Sequence, residues 1–344
     1  LKIDQLSLKK LIQNIFAAAG SHHYEAERIA HYLVEANLVG HDSHGAIRVP
    51  RYIEWVRAGT LVPNQMLEIV SENEVLAVVD GHFGFGQVMG EAAMTLALDK
   101  CAKFGVSVVA LRNGGHLGRI GDWAEMAAAA GKMSIHFVNT GGGGILVAPH
   151  GGNERRLSAD PIAAAVRVRG GPPIVVDFSS CTIAEGKIRV AANKGVPVPE
   201  NCILDNQGQP TTDPKVFYGS PPGVLLPLGG HKGFALGVMV EVLAGALSGG
   251  SCSRPGVKVV SNNMLSIVID PARFRSLDEF HQDVADFTAW VKSARTVTAD
   301  GEILMPGEPE HRTRKLRLRE GIPLDETTWG QIQDVARSLN VPGH

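Results

Sequence analysis

Cysteine is scarce in this chain of 344 residues. Cys101, Cys181, Cys202 and Cys252 lie far apart with no CxxC spacing, which excludes a zinc knuckle and the disulfide framework of a small secreted domain. An excess of either charge is missing too: 33 Lys and Arg face 35 Asp and Glu, a net charge of −2. The one basic stretch, HRTRKLRLRE, reads as a solvated helix face, so no nucleic-acid partner is expected. No apolar run reaches the roughly 18 residues that cross a bilayer. The opening LKIDQLSLKK lacks the apolar centre of a secretory leader, although a start at Leu1 leaves room for a few residues ahead of it. Together these absences predict a cytoplasmic protein with neither nucleic acid nor membrane as partner.

What is present is an ordinary globular composition, 44% apolar and 20% charged, in a chain long enough for two cores. Ser7 precedes LKKLIQNIFAAAG and Ser21 precedes YEAERIAHYLVEANLVG, two runs with helical spacing, and RYIEWVRAG predicts a third helix with Pro50 in its first turn. Val62 to Val70 reads as loop or short strand. From about residue 73 the character changes. VLAVVD, VSVVAL, MSIHFV, AAAVRV, IVVDF and LSIVID are strand-like and alternate with helical stretches such as QVMGEAAMTLALDKCAKFG and DWAEMAAAAG. GGGG at 141–144 reads as a loop, and SLDEFHQDVADFTAWVKSAR starts with a capping box from Ser276 to Glu279. The fold class is α/β with a mixed sheet at 73–299, and a mostly helical domain built from 1–72 with 300–344, since chain ends often meet.

The strand VLAVVD, the turn GHFGFGQVMG and the following helix invite a Rossmann reading, in which glycines let a pyrophosphate reach a helix N-terminus. Gly84 and Gly86 fit its first two positions, but Met89 occupies the third. The next strand ends in Arg112-Asn113 where an acid should hold a ribose. Gly81, Gly84 and Gly86 are therefore expected to serve a tight turn.

Four clusters carry titratable chemistry. GHDSHGAIRVPRY (40–52) holds Ser43, His44 and Arg48, a proton carrier beside a guanidinium fork that suits a carboxylate. From spacing alone, His44 fits an acid–base group or a helix cap equally well. His41 and His44 form an HxxH pair, but no third ligand or supporting helix is visible, so no metal is expected. His116 lies in LRNGGHLGRIGDWAE, a glycine-rich loop between strand and helix. In IVVDFSSCTIAEGK, Asp177 ends a strand while Ser179, Ser180 and Thr182 fit either anion ligands or ordinary caps. GGHKGFAL places His231 and Lys232 at a helix start, where a cation needs an anionic partner or a route to solvent.

These clusters, in this order and with GVPVP (195–199), PTTDP (210–214), GALSGG (245–250) and MPGE (305–308), resemble the non-Rossmann malate/L-lactate dehydrogenase family over almost the whole chain. Within it the pattern is most similar to the hydroxycarboxylate dehydrogenase B type. The resemblance implies a homodimer and a nicotinamide cofactor, NAD or NADP, bound by a mixed-sheet domain. It implies a proton-donor role for His44 against the nicotinamide, with Ser43 and His116 beside it and Arg48 on the substrate carboxylate. Cofactor contacts are implied at Gly118, Arg119 and Ile120, at Val175, Val176, Asp177, Phe178 and Ser179, at His231 and Asn262, and at Gly307, Glu308, Pro309 and Glu310. SSC at 179–181 and Gly115 depart from the common pattern, which has ATS and a larger residue there. Asp177 favours NAD, because an acid accepts from a ribose hydroxyl and repels a 2′-phosphate, while Arg167, Arg169 and Lys187 pull the other way. The implied activity is interconversion of a small or aromatic 2-oxo acid and its 2-hydroxy acid. Two further readings are reduction of a cyclic imine acid such as piperideine-2-carboxylate, and an idle cofactor-binding relative.

Overall fold

The computed structural model describes residues 1–142 and 144–342. A two-residue strand, β1 (Lys2–Ile3), leads into α1 (Gln5–Ala18) and α2 (His23–Leu38), and α3 is Val49–Arg57. The caps differ from expectation by a few residues. Asp4 rather than Ser7 caps α1, because its carboxylate accepts the Leu6 and Ser7 N–H groups at 3.0 and 2.9 Å. His22 rather than Ser21 stands at the cap of α2. Leu8, Leu11, Ile12, Ile15 and Phe16 form the buried stripe of α1.

Next come β2 (Glu68–Glu72), β3 (Leu76–Asp80), α4 (Gly86–Phe104), β4 (Val106–Gly114), α5 (Gly121–Ala129) and β5 (Met133–Gly142). They are followed by β6 (Pro161–Val166), β7 (Ile174–Ser179) and α6 (Glu185–Lys194). Three two-residue strands, β8 (Ile203–Leu204), β9 (Pro210–Thr211) and β10 (Val224–Leu225), precede α7 (His231–Val240), which continues as a π-helical turn over Glu241–Ala246. The chain ends with β11 (Val260–Ile269), α8 (Leu277–Lys292), α9 (Glu308–Glu320), β12 (Ile322–Pro323) and α10 (Glu326–Ser338).

The main sheet has the order β2-β3-β4-β11-β5-β6-β7, and only β3 and β4 run parallel. It is a mixed sheet, as its alternation of short apolar runs and helices predicts. Trp123, Met94 and Ala97 from α5 and α4 lie in its main core, while Val240 and Ala244 pack with Ile162 in a smaller cluster. A separate core gathers Val147, Ile188, Ile203, Phe217 and Leu225 around the three-stranded sheet β10-β8-β9, whose short strands carry too little pattern to be read in advance. The first helices share one core with the chain's other end: Leu11, Phe16 and Leu33 pack in the cluster that includes Ile322, Ile332 and Ala336.

Two local expectations fail. Gly141 and Gly142 are not loop but the end of β5, paired with Ser261 and Val260. Glycine is needed there because a Cβ on Gly142 would lie 2.5 Å from Val257 Cγ1; Gly143 lies outside the described residues. Ser276 stands at the cap of α8 without a side-chain capping bond, and Glu279 turns to Arg275 instead.

The glycine turn before α4 backs onto protein. Gly81 N–H donates to Arg112 O and Gly84 N–H to Gly81 O. A Cβ on Gly86 would lie 2.2 Å from His116 O, so this glycine lets α4 start directly against the His116 loop. The turn serves tight packing, as its failed fingerprint implies.

Candidate active site

The corner that follows α2 is built from two 3₁₀ turns, Asp42–His44 and Ala46–Arg48, which run straight into α3. Asn37 holds both. Its Nδ2 donates to Asp42 Oδ1 at 2.6 Å, and its Oδ1 accepts the Ala46 N–H at 2.7 Å. Gly45 is required between them, because a Cβ there would lie 2.3 Å from Asn37 Oδ1. From the far end of the chain, Arg317 on α9 donates to both oxygens of Asp42 at 2.6 and 3.0 Å. A corner clamped at both ends can hold short polar side chains in fixed directions.

Those side chains are Ser43, His44 and Arg48. Ser43 Oγ lies 3.0 Å from His44 Nδ1, and Arg48 Nε donates to the Ser43 carbonyl at 2.6 Å. Among the described residues, the terminal nitrogens of Arg48 have no hydrogen-bond partner. Ser43 is also the neighbour of α6: a Cβ on Gly186 would lie 2.7 Å from Ser43 Cβ.

His116 arrives from the end of β4. Its ring stacks on His44 with centroids 5.5 Å apart and planes 9° from parallel. Asn262 on β11 fixes this loop by accepting the Leu117 N–H at 2.9 Å while donating to Asn139 O and Thr140 Oγ1. The side chain of Asn262 is thus spent on positioning His116. Tyr52 Oη lies 2.6 Å from His116 Nδ1, and Gln87 Nε2 donates to Tyr52 Oη at 3.0 Å. Burial, then the positive charges of Arg48, His41 and Arg119, pushes the His44 pKa down to about 3. Burial, Arg48 and His44 hold His116 well below the ordinary imidazole range. Both shifts favour the neutral rings, beside a guanidinium whose terminal nitrogens meet no partner among the described residues.

A knot of acids and bases lies behind this pair. Arg119 is buried and donates to Asp122 and Glu125 at 2.9 and 2.7 Å, with Asp177 3.7 Å from its Nε. Despite burial, these carboxylates hold the Arg119 pKa above its ordinary value. Burial raises Asp122 to about 7. Asp177 Oδ2 accepts the Gly121 N–H at 2.8 Å, an acid at the N-terminus of α5 where the helix dipole favours it. The Arg119 guanidinium therefore answers mainly to α5, with Asp177 close by, and the turn of Gly118, Arg119 and Ile120 is buried between this knot and the His116 loop.

His41 bridges this knot to the tail. Its Nε2 is 3.4 Å from Glu310 Oε1 and its Nδ1 4.0 Å from Asp177 Oδ2. The bond to His41 is the leading reason that Glu310 stays below the usual carboxylate range. The HxxH pair is consequently split, one ring facing acids and the other facing His116. Among the described residues, no three His, Cys, Asp or Glu side chains gather in a metal-binding arrangement.

The tail segment before α9 lies along β7: Val175 N–H donates to Pro306 O at 3.0 Å. Gly307 has φ +94°, and a Cβ there would lie 3.1 Å from both Pro173 O and Val175 N. Glu308 is held by Lys292 at 2.7 Å, next to Pro309 in the first turn of α9. Beside this seam opens a cavity of about 330 Å³ lined by Val39, Arg167, Val175, Gly307, Glu310 and Arg314. Val176 and Phe178 pair along β7 with Ala164 and Ile162, and Ser179 ends the strand with its Oγ 3.1 Å from Cys181 Sγ. His231 stands apart. It is exposed at the start of α7, its ring centroid 6.0 Å from that of His150, with no contact to His44 or His116 among the described residues.

The family model for malate/L-lactate dehydrogenase matches residues 3–333. The chain belongs to that family. Hydroxycarboxylate dehydrogenase B of Escherichia coli O157:H7 is 42% identical over 346 residues, covering 99% of this chain and 95% of the relative. The solved sulfolactate dehydrogenase from Methanocaldococcus jannaschii superposes with a TM-score of 0.90 at 33% identity, covering 99% of this chain and 98% of the other. A delta1-piperideine-2-carboxylate reductase from Pseudomonas syringae has a TM-score of 0.86 at 29% identity, covering 98% of this chain and all of that one. As a malate/L-lactate dehydrogenase family member, the protein is an oxidoreductase of the hydroxy acid dehydrogenase kind.

Within that family pattern, Gly115 has a physical reason. A Cβ at this position would lie 2.5 Å from Leu61 Cδ1 and 2.6 Å from Gly84 O, so a larger residue would push the His116 loop away from the α4 turn. Tyr52, Gln87, Asn37 and Arg317 are the site-building residues that sequence reasoning misses. Tyr52 sits in the same thirteen-residue motif as His44, but nothing in its spacing says that its hydroxyl meets a residue 64 positions away.

Proposed function

We propose that the protein interconverts a small or aromatic 2-oxo acid and its 2-hydroxy acid with NAD as cofactor. The observation that carries this reading is the juxtaposition of His44, its pKa lowered and its ring stacked on His116, with an Arg48 whose terminal nitrogens have no partner among the described residues. A guanidinium fork takes a carboxylate with two parallel bonds and so fixes the position of C2. His44 supplies the proton to the C2 oxygen in reduction and accepts it in oxidation. Its low resting pKa is lifted when the acid's negative charge enters beside it. Ser43 bonds the far side of the ring and keeps it oriented.

The residues present fit a nicotinamide dinucleotide. Gly118 (φ +74°) opens a buried turn two residues beyond His116 that carries no side-chain bulk there, and the cavity between Val175 and Gly307 is lined by Glu125 and Glu310, which meet Arg119 and His41. When bound, the cofactor supplies the hydride to C2. Gly118 to Ile120, Val175 to Ser179, and Gly307 to Glu310 would hold it, with Asn262 acting through the loop it ties. His231 would contribute only from the α7 side. Glu125 and Glu310 line the cavity as acids that suit ribose hydroxyls, alongside Arg167 and Arg314, the cations that would take an added phosphate. We read the helical ends, 1–72 with 300–344, as the domain that brings the catalytic corner to a cofactor held by 73–299; the shared core of Leu11, Leu33, Ile322 and Ile332 supports it. The exposed Val238, Met239, Val242 and Leu247 of the α7 region support a homodimer.

The deciding experiment is a spectrophotometric screen of 2-oxo and 2-hydroxy acids with NADH and NADPH, NAD and NADP. Turnover of 2-oxo acids with tighter NADH than NADPH binding is expected. Cofactor binding without turnover of any of them would overturn the activity, and tighter NADPH binding would overturn the cofactor choice. The likeness to the Pseudomonas syringae reductase supports a second reading, in which the same Arg48 anchor holds a cyclic imine acid. Faster reduction of piperideine-2-carboxylate than of every 2-oxo acid would select it.

A further inference from the structure

We propose that Tyr52 is a positioning residue that fixes the tautomer of His116. Its phenol donates to Nδ1, so His116 carries its proton on Nε2 and offers a neutral N–H to an oxygen of the bound acid, while His44 alone exchanges a proton. The role toward substrate rests on the function proposed above; the tautomer itself does not.

The direction of the chain is read from its distances. Hydrogen bonds donated by hydroxyl groups run shorter than those donated by nitrogen, about 2.7–2.8 Å against about 2.9–3.0 Å. The Tyr52 to His116 contact is 2.6 Å and the Gln87 to Tyr52 contact is 3.0 Å. These lengths fit a Gln87 amide that donates to the phenol oxygen and a phenol that spends its single proton on the imidazole. A phenol is also the stronger acid of the two donors available, and an imidazole nitrogen the stronger base. At the His116 link the reverse chain would use a weaker donor, the imidazole N–H, on a weaker acceptor, the phenol oxygen.

The surroundings keep the chain out of water, and Gln87 Oε1 has no hydrogen-bond partner among the described residues. Tyr52 is 1% exposed and Gln87 fully buried, so neither polar group can turn to water. Aromatic neighbours Phe16, Phe85 and Trp55 hold the Tyr52 ring in place. Gln87 also lies under the turn of Gly118, where a Cβ would come within 3.3 Å of its Nε2. His44 and His116 are both engaged at Nδ1, one by Ser43 and the other by Tyr52, and both Nε2 atoms lack a partner among the described residues. The two free nitrogens are therefore the pair left for a ligand. Two stacked imidazoles at 5.5 Å cannot both be charged cheaply, so a division into one fixed donor and one proton exchanger is the stable assignment.

Long-range ¹H–¹⁵N imidazole spectra of ¹⁵N-labelled protein test this directly. The expected wild-type result is His116 protonated at Nε2 and bare at Nδ1. In Tyr52→Phe the His116 signals should shift toward a mixture of tautomers. Its kcat/KM on the best 2-oxo acid should fall about 10- to 100-fold, the usual cost of losing a group that orients another. A wild-type His116 protonated at Nδ1 would overturn the proposal, as would a folded Tyr52→Phe protein with the wild-type tautomer and turnover. The wild-type spectrum decides the tautomer even where Tyr52→Phe fails to fold. A wild type inactive on every 2-oxo acid would defeat the function proposed above and leave the tautomer result standing.

Discussion

Arg317 grips both carboxylate oxygens of Asp42 across 275 positions of sequence, at 2.6 and 3.0 Å. Asp42 opens the turn that ends in His44, so the helix near the chain's end sets the angle at which the proposed catalytic corner meets His116.

Arg317→Ala should therefore lower kcat/KM about tenfold while costing only about 1 kcal/mol of stability, because Asp42 is half exposed and solvent screens the pair. Steady-state kinetics beside a denaturant titration check it. Unchanged kinetics with lowered stability would show that the clamp holds the fold and not the site.

His44→Ala should cut turnover by about two to four orders of magnitude, the usual share of a positioned acid–base group. Its melting temperature should stay near that of the wild type, since the ring sits on a turn whose backbone is held by Asn37 and Arg317. A folded variant with near-normal turnover would remove His44 from the chemistry.

In Arg48→Lys the carboxylate fork is lost although the charge remains, because an ammonium cannot supply two parallel donors. KM for the 2-oxo acid is expected to rise by at least about tenfold, with a smaller change in kcat. Equal KM across several 2-oxo acids would place the carboxylate elsewhere.

Acid should destabilise the fold through its buried imidazoles. His136 lies inside the main sheet between Ser134 and Ser266, and burial lowers its pKa to about 3. Between an unfolded value near about 6.5 and that folded value, the unfolded chain binds the extra proton. His136 thus contributes stability that is fully present above about 6.5 and lost as pH falls toward 3. Asp122, raised to about 7, works in the opposite direction, losing stability as pH rises from about 4 to 7. His136→Asn should accordingly flatten the acid limb of a stability-versus-pH curve measured by urea unfolding and leave the effect of Asp122 in place. An unaltered limb would show that His136 binds its proton alike in the folded and unfolded chains.

Much of this arrangement is legible in the sequence because it is local. Helical spacing in α1, α2 and α3 and the short apolar runs of β3 to β7 each report a buried face directly. The cluster of Ser43, His44 and Arg48 is visible for the same reason: three chemically distinct side chains fall within six positions. What escapes is whatever depends on pairing over distance. Asn262, a cofactor contact by resemblance alone, has its side chain tied between β11 and the His116 loop. Asp177 reads as a ribose acceptor, yet its Oδ2 is already bonded to Gly121. Tyr52 looks like an ordinary core aromatic, and only the arrival of His116 gives its hydroxyl a role.

The position of β11 has a consequence for biosynthesis. It is the last strand of the main sheet to leave the ribosome, yet it lies between β4 and β5, antiparallel to both over nearly its full length. Until residue 269 has emerged, β4 and β5 each present an unpaired edge, and the Asn262 tie to the histidine loop does not exist. The nascent chain must keep a slot open through the 117 residues between Gly142 and Val260. Such long-range closure slows folding and exposes strand edges to neighbouring chains. Yield in rapid expression should therefore respond more to slower translation or a chaperone than to any change in the stability of the finished protein.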